Sequence, residues 1–237
     1  MSPSSRLNNP GPVNPDIPRF EVFVPAQTGP PASNGRLGVL GGAYNPITRA
    51  HLLLARYSRE QCKLDEIIFV LPRILPNKPL VGASVELRLA MMRLAISGIP
   101  YIALGVCSHG IFLDICTALQ QIYPQKSEIF FITGRDAAER IVSWPYDNPA
   151  AALARMFASF QLLVFEREGK LQLPENPLVQ KYLNRIHTLE VEKNLDRVSS
   201  TEVRRRVSEG RSIGELVPTE VAVFIQKHGL YRDFAAE

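Results

Sequence analysis

From Arg36 onward, short runs rich in β-branched and aromatic residues alternate with longer stretches whose apolar positions recur every three to four residues. The short runs predict strands over "RLGVLG" (36–41), "EIIFVLP" (66–72), "YIALGV" (101–106), "EIFFITG" (128–134), "FQLLVFER" (160–167) and "IHTLEV" (186–191). The periodic stretches predict helices near 50–62, 84–97, 114–122 and 135–143. "EIFFIT" is almost continuously apolar, as a strand covered on both faces requires. Such an alternation predicts an α/β fold: a doubly wound, Rossmann-like parallel sheet with right-handed crossovers and helices on both faces. Two more helices follow as a C-terminal element. "SSTEVRRRVSEG" (199–210) opens on hydroxyl residues with Glu202 behind them, and "PTEVAVFIQKHG" (218–229) is bracketed by Pro218 and Gly229.

Residues 1–35 read differently. They hold eight prolines and no helical period, so a flexible Pro-rich arm is expected there, with a short extended piece at Phe20 to Val24. Residues 36–237 are expected to form a single domain. No apolar run approaches the roughly 20 residues of a membrane span, and no secretory signal opens the chain, so the expected location is the cytoplasm. Cys62, Cys107 and Cys116 form no CxxC pair, which points to buried thiols rather than a disulfide framework or a metal site. The net charge of +4 is mild but concentrated: Lys193 to Arg211 holds six Lys/Arg against three Asp/Glu. A solvated helix face or a polyphosphate ligand accounts for it better than nucleic acid, because aromatics are not interleaved.

In doubly wound sheets, ligands bind at the carboxyl ends of strands where the strand order reverses. That directs attention to "GVLGGAYNPITRAH" (38–51), where Gly41 and Gly42 follow a strand and Asn45-Pro46 fixes a turn before a helix. Exposed N–H groups at the helix start suit an anion, although a glycine turn also has a purely structural use. His51 has the same two readings, phosphate donor or local hydrogen-bonder. In "VSSTEVRRR", Ser199, Ser200, Thr201 and Arg204 lie within one turn of each other, as an anion site or as an ordinary N-cap with surface arginines. "ITGRDA" places Gly134 at a strand end and Asp136 at a helix start, where it either complements the helix dipole or holds a ribose hydroxyl.

The order "GGAYNPITRAHLLLA", "LPRILPNKP", "ELRLAMMRLAI", "FITGRDAAERIVSW" and "VSSTEVRRRVSEGRSIGELVPTEVAVFIQKHGLY" resembles the nicotinate-nucleotide adenylyltransferase family over about residues 36–232. The resemblance implies transfer of AMP from ATP, with Mg²⁺, to a mononucleotide phosphate such as that of nicotinate mononucleotide, with release of pyrophosphate. It also implies that Gly41, Gly42, Ala43, Tyr44, Asn45 and Thr48 lie at the nucleotide and that His51 and Arg204 act on its phosphates. Ser199, Ser200 and Thr201 would join Arg204, and Gly134 and Asp136 would face the sugars. By the same resemblance, Lys78 and Arg88 lie near the acceptor and Trp144, the sole tryptophan, lies against its pyridine ring. The implied partners are ATP and a small phosphate-bearing acceptor, not membrane or nucleic acid; homo-oligomerisation is left open.

Two departures stand out. The family's His-x-Gly-His element reads Thr48, Arg49, Ala50, His51, so its first histidine is absent. The loop that recognises nicotinate reads "SHGIFLDICTAL" (108–119), with Ile111, Phe112 and Leu113 replacing hydroxyls and Asp114 expected to cap the helix. The alternative expectation is therefore a catalytically impaired relative that binds nucleotides or regulates, or an enzyme for a different phosphate-bearing acceptor.

Overall fold

A strand in the middle of a parallel sheet has no wet face, and Glu66–Pro72 obeys that constraint: every one of its residues is buried. The structure is a computed structural model that describes residues 17–73, 82–123, 127–166, 170–189 and 198–234. Its strands are β1 (Phe20–Val24), β2 (Arg36–Gly41), β3 (Glu66–Pro72), β4 (Ile102–Cys107), β5 (Glu128–Gly134), β6 (Gln161–Phe165) and β7 (Ile186–Leu189). They form one sheet in the order β1-β4-β3-β2-β5-β6-β7. The pairs from β4 through β7 are parallel, and only the edge strand β1 runs antiparallel.

Side chains alternate across the sheet and divide it between two cores. Ile67, Phe69 and Leu71 of β3 enter one core, while Ile68 and Val70 enter the other. The first is covered by α2 (Val85–Ile96), α7 (Ser200–Ser208) and α8 (Thr219–Lys227), through Met91, Met92, Val203, Val221 and Ile225. α1 (Arg49–Cys62) lies on the same side and contributes Ala55. The second core is covered by α3 (Phe112–Leu119), α4 (Arg135–Val142) and α5 (Pro149–Ser159), through Ile115, Ala138 and Phe157. A single turn, α6 (Pro177–Gln180), precedes β7. This is the doubly wound sheet that the alternation predicts. From β2 the chain builds outward to β4 and then crosses back to place β5 on β2's other side, so the order reverses between β2 and β5.

The predicted strands at 36–41, 66–72 and 128–134 match in full, and the third candidate is displaced by one residue. The sixth candidate's last residues, 190 and 191, lie outside the described ones. Three local differences have physical reasons. β1 is more than an extended piece: it pairs with β4, and the Phe20 ring lies so close over Gly105 that a Cβ there would stand 2.2 Å from it. The Arg19 backbone N–H donates to Ser108 Oγ at 2.9 Å, so this part of the proposed arm is tied to the sheet. α5 was not predicted, although Asn148 caps it by accepting from the Ala151 N–H at 3.1 Å and Pro149 sits in its first turn. α3 opens at Phe112 rather than 114. Its N-cap is Ile111, which supplies no side-chain bond, and Asp114 sits inside the first turn, so the expected Asp114 cap is corrected. The Phe112 ring stacks on Phe131 at 4.5 Å, and that contact draws the helix start forward. Among the described residues, no helix is long and apolar enough to cross a membrane.

At the opposite end of the sheet, the Glu66 carboxyl is buried and accepts from the Tyr123 hydroxyl at 2.5 Å. Burial raises the Glu66 pKa, and the Tyr123 bond lowers it in part. A carboxyl raised on folding contributes stability that is complete below its unfolded value and is lost as pH rises through the folded value. Urea unfolding should therefore show wild type losing stability relative to Glu66→Gln as pH rises above about 4.3, the ordinary glutamate value. A pH-independent difference would contradict this.

Candidate active site

β2 delivers the glycine turn to the reversal point. The Gly42 N–H donates to the Val70 carbonyl at 3.1 Å, which holds the turn against the end of β3. Tyr44 follows with φ 45°, in the left-handed region where a non-glycine residue needs support. The support is its own side chain: the ring is buried, stacks on Phe69 at 5.6 Å, and its hydroxyl donates to the Leu40 carbonyl. Burial pushes the phenol well above its ordinary value. Tyr44 is thus the loop's anchor, and only its backbone is placed to meet a ligand. Gly41 is exposed, and Gly42 and Ala43 are half-buried.

His51 stands at the third position of α1. Its Nδ1 accepts the Thr48 backbone N–H at 3.1 Å and lies 2.8 Å from Thr48 Oγ1, the geometry of a capping box with histidine in the place of glutamate. Since Nδ1 must accept from an N–H, the neutral ring carries its proton on Nε2. Thr48 is fully buried, so its side chain sets the histidine rather than facing a phosphate. Arg49 does not take the missing histidine's place. Its Nε and Nη2 donate to the carbonyls of Val217 and Gly214 at 3.1 and 3.3 Å, which pins the start of α1 to the C-terminal element.

The next turn of the loop is where distant segments meet. Asn45 Oδ1 accepts from the Ala83 N–H at 3.2 Å and the Tyr231 hydroxyl at 2.9 Å. The Asn45 carbonyl accepts Arg204 Nη1 at 2.7 Å, and the adjacent Pro46 carbonyl accepts the Ser200 hydroxyl at 2.7 Å. Ser199 caps α7 by accepting the Glu202 N–H at 3.1 Å, and Thr201 Oγ1 accepts Arg204 Nη2 at 3.2 Å. Gly82 has φ +93°, and a Cβ there would stand 2.8 Å from the Asn45 amide, so glycine is required for both backbone and space. Arg88 supports the loop from beneath. It is 2% exposed, and its donors go to the carbonyls of Ala83 at 2.7 Å and Ala43 at 3.4 Å. Burial lowers its pKa, and the Arg204 charge adds to that. Two guanidinium groups therefore converge on residues 43–45, a field that favours an anion. Arg88 is placed as a buried prop rather than an open acceptor ligand.

The remaining candidates are scattered around this centre. Gly134 ends β5 and caps α4 with extended backbone, beside the loop because Leu40 pairs with Ile132. The Asp136 carboxylate is exposed and held by Arg135 at 3.1 Å. Trp144 follows α4 and is half exposed, and Ile111, the N-cap of α3, is 59% exposed. Lys78 lies outside the described residues.

The cytidylyltransferase-like family model matches residues 39–206, from the glycine turn through Arg206. The protein named "Probable nicotinate-nucleotide adenylyltransferase" of Thermus thermophilus is 33% identical over 203 residues, which span 83% of this chain and all of that one. Its namesake in Dehalococcoides mccartyi is 33% identical over 210 residues, covering 83% and 97%. The chain belongs to the nicotinate-nucleotide adenylyltransferase family. The Plasmodium falciparum nicotinic acid mononucleotide adenylyltransferase complexed with NaAD shares the fold, with a TM-score of 0.64 at 20% identity over 86% of this chain and all of that one. The same enzyme complexed with APC gives 0.63.

Tyr231, which sequence reading did not single out, also joins this loop. Tyr231 lies 186 positions from the asparagine it binds. Its one visible signal was its place in "HGLY", just past a helix-ending glycine. Asn45→Ala would remove the acceptor of two buried donors, and each orphaned donor costs about 1–3 kcal/mol. Denaturant titration should show a loss of about 2 kcal/mol or more, and a loss below about 0.5 kcal/mol would show the convergence is not structural.

Proposed function

We propose that this protein catalyses transfer of AMP from ATP to nicotinate mononucleotide, forming the dinucleotide and diphosphate. The observation that carries the reading is the junction of Arg204 and Ser200 with the Asn45-Pro46 turn, five to six residues before His51. That junction sets the N-terminus of α7 beside the N-terminus of α1. Two helix starts and two guanidinium groups around one glycine turn form a cradle for several phosphates, and both substrates bring them.

In the proposed reaction, an oxygen of the acceptor phosphate attacks the α-phosphorus of ATP. The bond from that phosphorus to the bridging oxygen of the β-phosphate breaks, and its electron pair leaves with diphosphate. The neutral His51 donates from Nε2 to an α-phosphate oxygen as charge grows there. Arg204 and the first backbone N–H groups of α7 hold the β- and γ-phosphates, which become the leaving group. No side chain forms a bond to the substrate, so the protein's share is alignment and charge stabilisation. Mg²⁺ enters in this reading with the substrate, as Mg-ATP.

Thr48 fits this reading without the absent histidine, since its N–H and hydroxyl both meet His51 Nδ1. A second acceptor is favoured by one feature: the segment corresponding to the nicotinate loop offers an exposed Ile111 and a core-stacked Phe112 instead of hydroxyls. Diphosphate release measured with ATP against nicotinate mononucleotide, nicotinamide mononucleotide and other phosphate acceptors separates the cases. Turnover is expected with nicotinate mononucleotide. A preference for another acceptor would revise the substrate, and no turnover with any would overturn the enzymatic claim. His51→Ala should lower kcat about a hundredfold, the usual cost of removing one donor to a transition-state oxyanion. An effect confined to KM would contradict the role given to Nε2.

A further inference from the structure

The residues after α8 enter the site from beyond the family match, which stops at 206. The chain turns back after Lys227, with the Leu230 N–H bonded to the Ile225 carbonyl at 3.1 Å. Tyr231 then adopts φ 65°, is 8% exposed, and locks onto Asn45 Oδ1. Three residues later the Phe234 ring covers the Arg204 guanidinium, with Cζ 4.6 Å from the ring centroid. Arg204 is thus fixed in two ways. Its edges are aimed by Asn45 and Thr201, and one of its faces is closed by an aromatic ring.

A guanidinium held by its face keeps its in-plane N–H groups for hydrogen bonds, and the ring excludes water from that side. We propose that the C-terminal segment completes the phosphate cradle, with Phe234 as a positioning residue for Arg204 and Tyr231 fixing the segment that carries it. The proposal rests on the reading of Arg204 as a polyphosphate ligand. Its consequence is that polyphosphate affinity depends on a ring that touches no substrate.

The test is calorimetric titration of the full chain with inorganic tripolyphosphate, which needs no turnover. Phe234→Ala should weaken binding about threefold, the scale of a partly exposed cation–π contact, and Phe234→Trp should restore it. Phe234→Leu keeps apolar packing without the ring and should bind as weakly as Phe234→Ala, with the thermal midpoint checking that each variant is folded. In an Arg204→Met background, Phe234→Ala should cause no further loss. Unchanged binding in Phe234→Ala, full binding by Phe234→Leu, or the same loss in the Arg204→Met background would each overturn the proposal. In turnover, Phe234→Ala should raise the KM for ATP by a similar factor and leave kcat within about twofold, and a fall in kcat alone would also overturn it. A wild type that binds tripolyphosphate yet transfers no AMP would overturn the proposed activity and leave the positioning claim intact. A wild type that transfers AMP yet does not bind tripolyphosphate would overturn the positioning claim and leave the proposed activity intact.

Discussion

Asn45 accepts from the Ala83 N–H and the Tyr231 hydroxyl, while its carbonyl receives Arg204, so one residue joins segments 38, 159 and 186 positions away in sequence. None of those partners belongs to the sheet, yet each must arrive for the loop above β2 to have a defined shape. Sheet topology brings the loop to the right edge. Asn45 decides what stands over it. Because the bonds are largely buried, each carries the full cost of an orphaned polar group if broken, and the cost couples the C-terminal element to the glycine turn.

The absent histidine looks different once the local geometry is known. Judged by residue type, threonine replaces a cationic donor with a neutral hydroxyl. In the structure, position 48 is the N-cap of α1 and is fully buried, and its N–H and hydroxyl both approach His51 Nδ1. Thr48 and His51 thus form one capping unit, with the proton of the neutral ring directed to Nε2. Positive charge comes from elsewhere: Arg204 above the loop and Arg88 beneath it, both bound to loop carbonyls.

Most of the sheet was legible because strands such as 66–72 and 128–134 are nearly continuous apolar runs behind a leading glutamate, and burial on both faces leaves no other arrangement for such runs. The cap of α7 was equally legible, since Ser199 and Glu202 act within one turn. α5 was missed although Asn148 and Pro149 marked its start. The side-chain roles at the site were harder. Residue type marks Arg88 as a surface or ligand-binding charge, while in the structure it is a buried prop. Tyr44 reads as a ligand-loop aromatic but is a core anchor. Such roles depend on which face of an element meets the core and on contacts with other elements, and local pattern encodes neither.

The central claim is that the glycine turn and the start of α7 form one phosphate cradle. A crystal structure with a non-hydrolysable ATP analogue tests it most directly. The triphosphate is expected between residues 42–51 and α7, with His51 Nε2 and Arg204 N–H groups within about 3.2 Å of phosphate oxygens. Phosphates bound away from either element, or His51 with Nε2 turned from them, would contradict it.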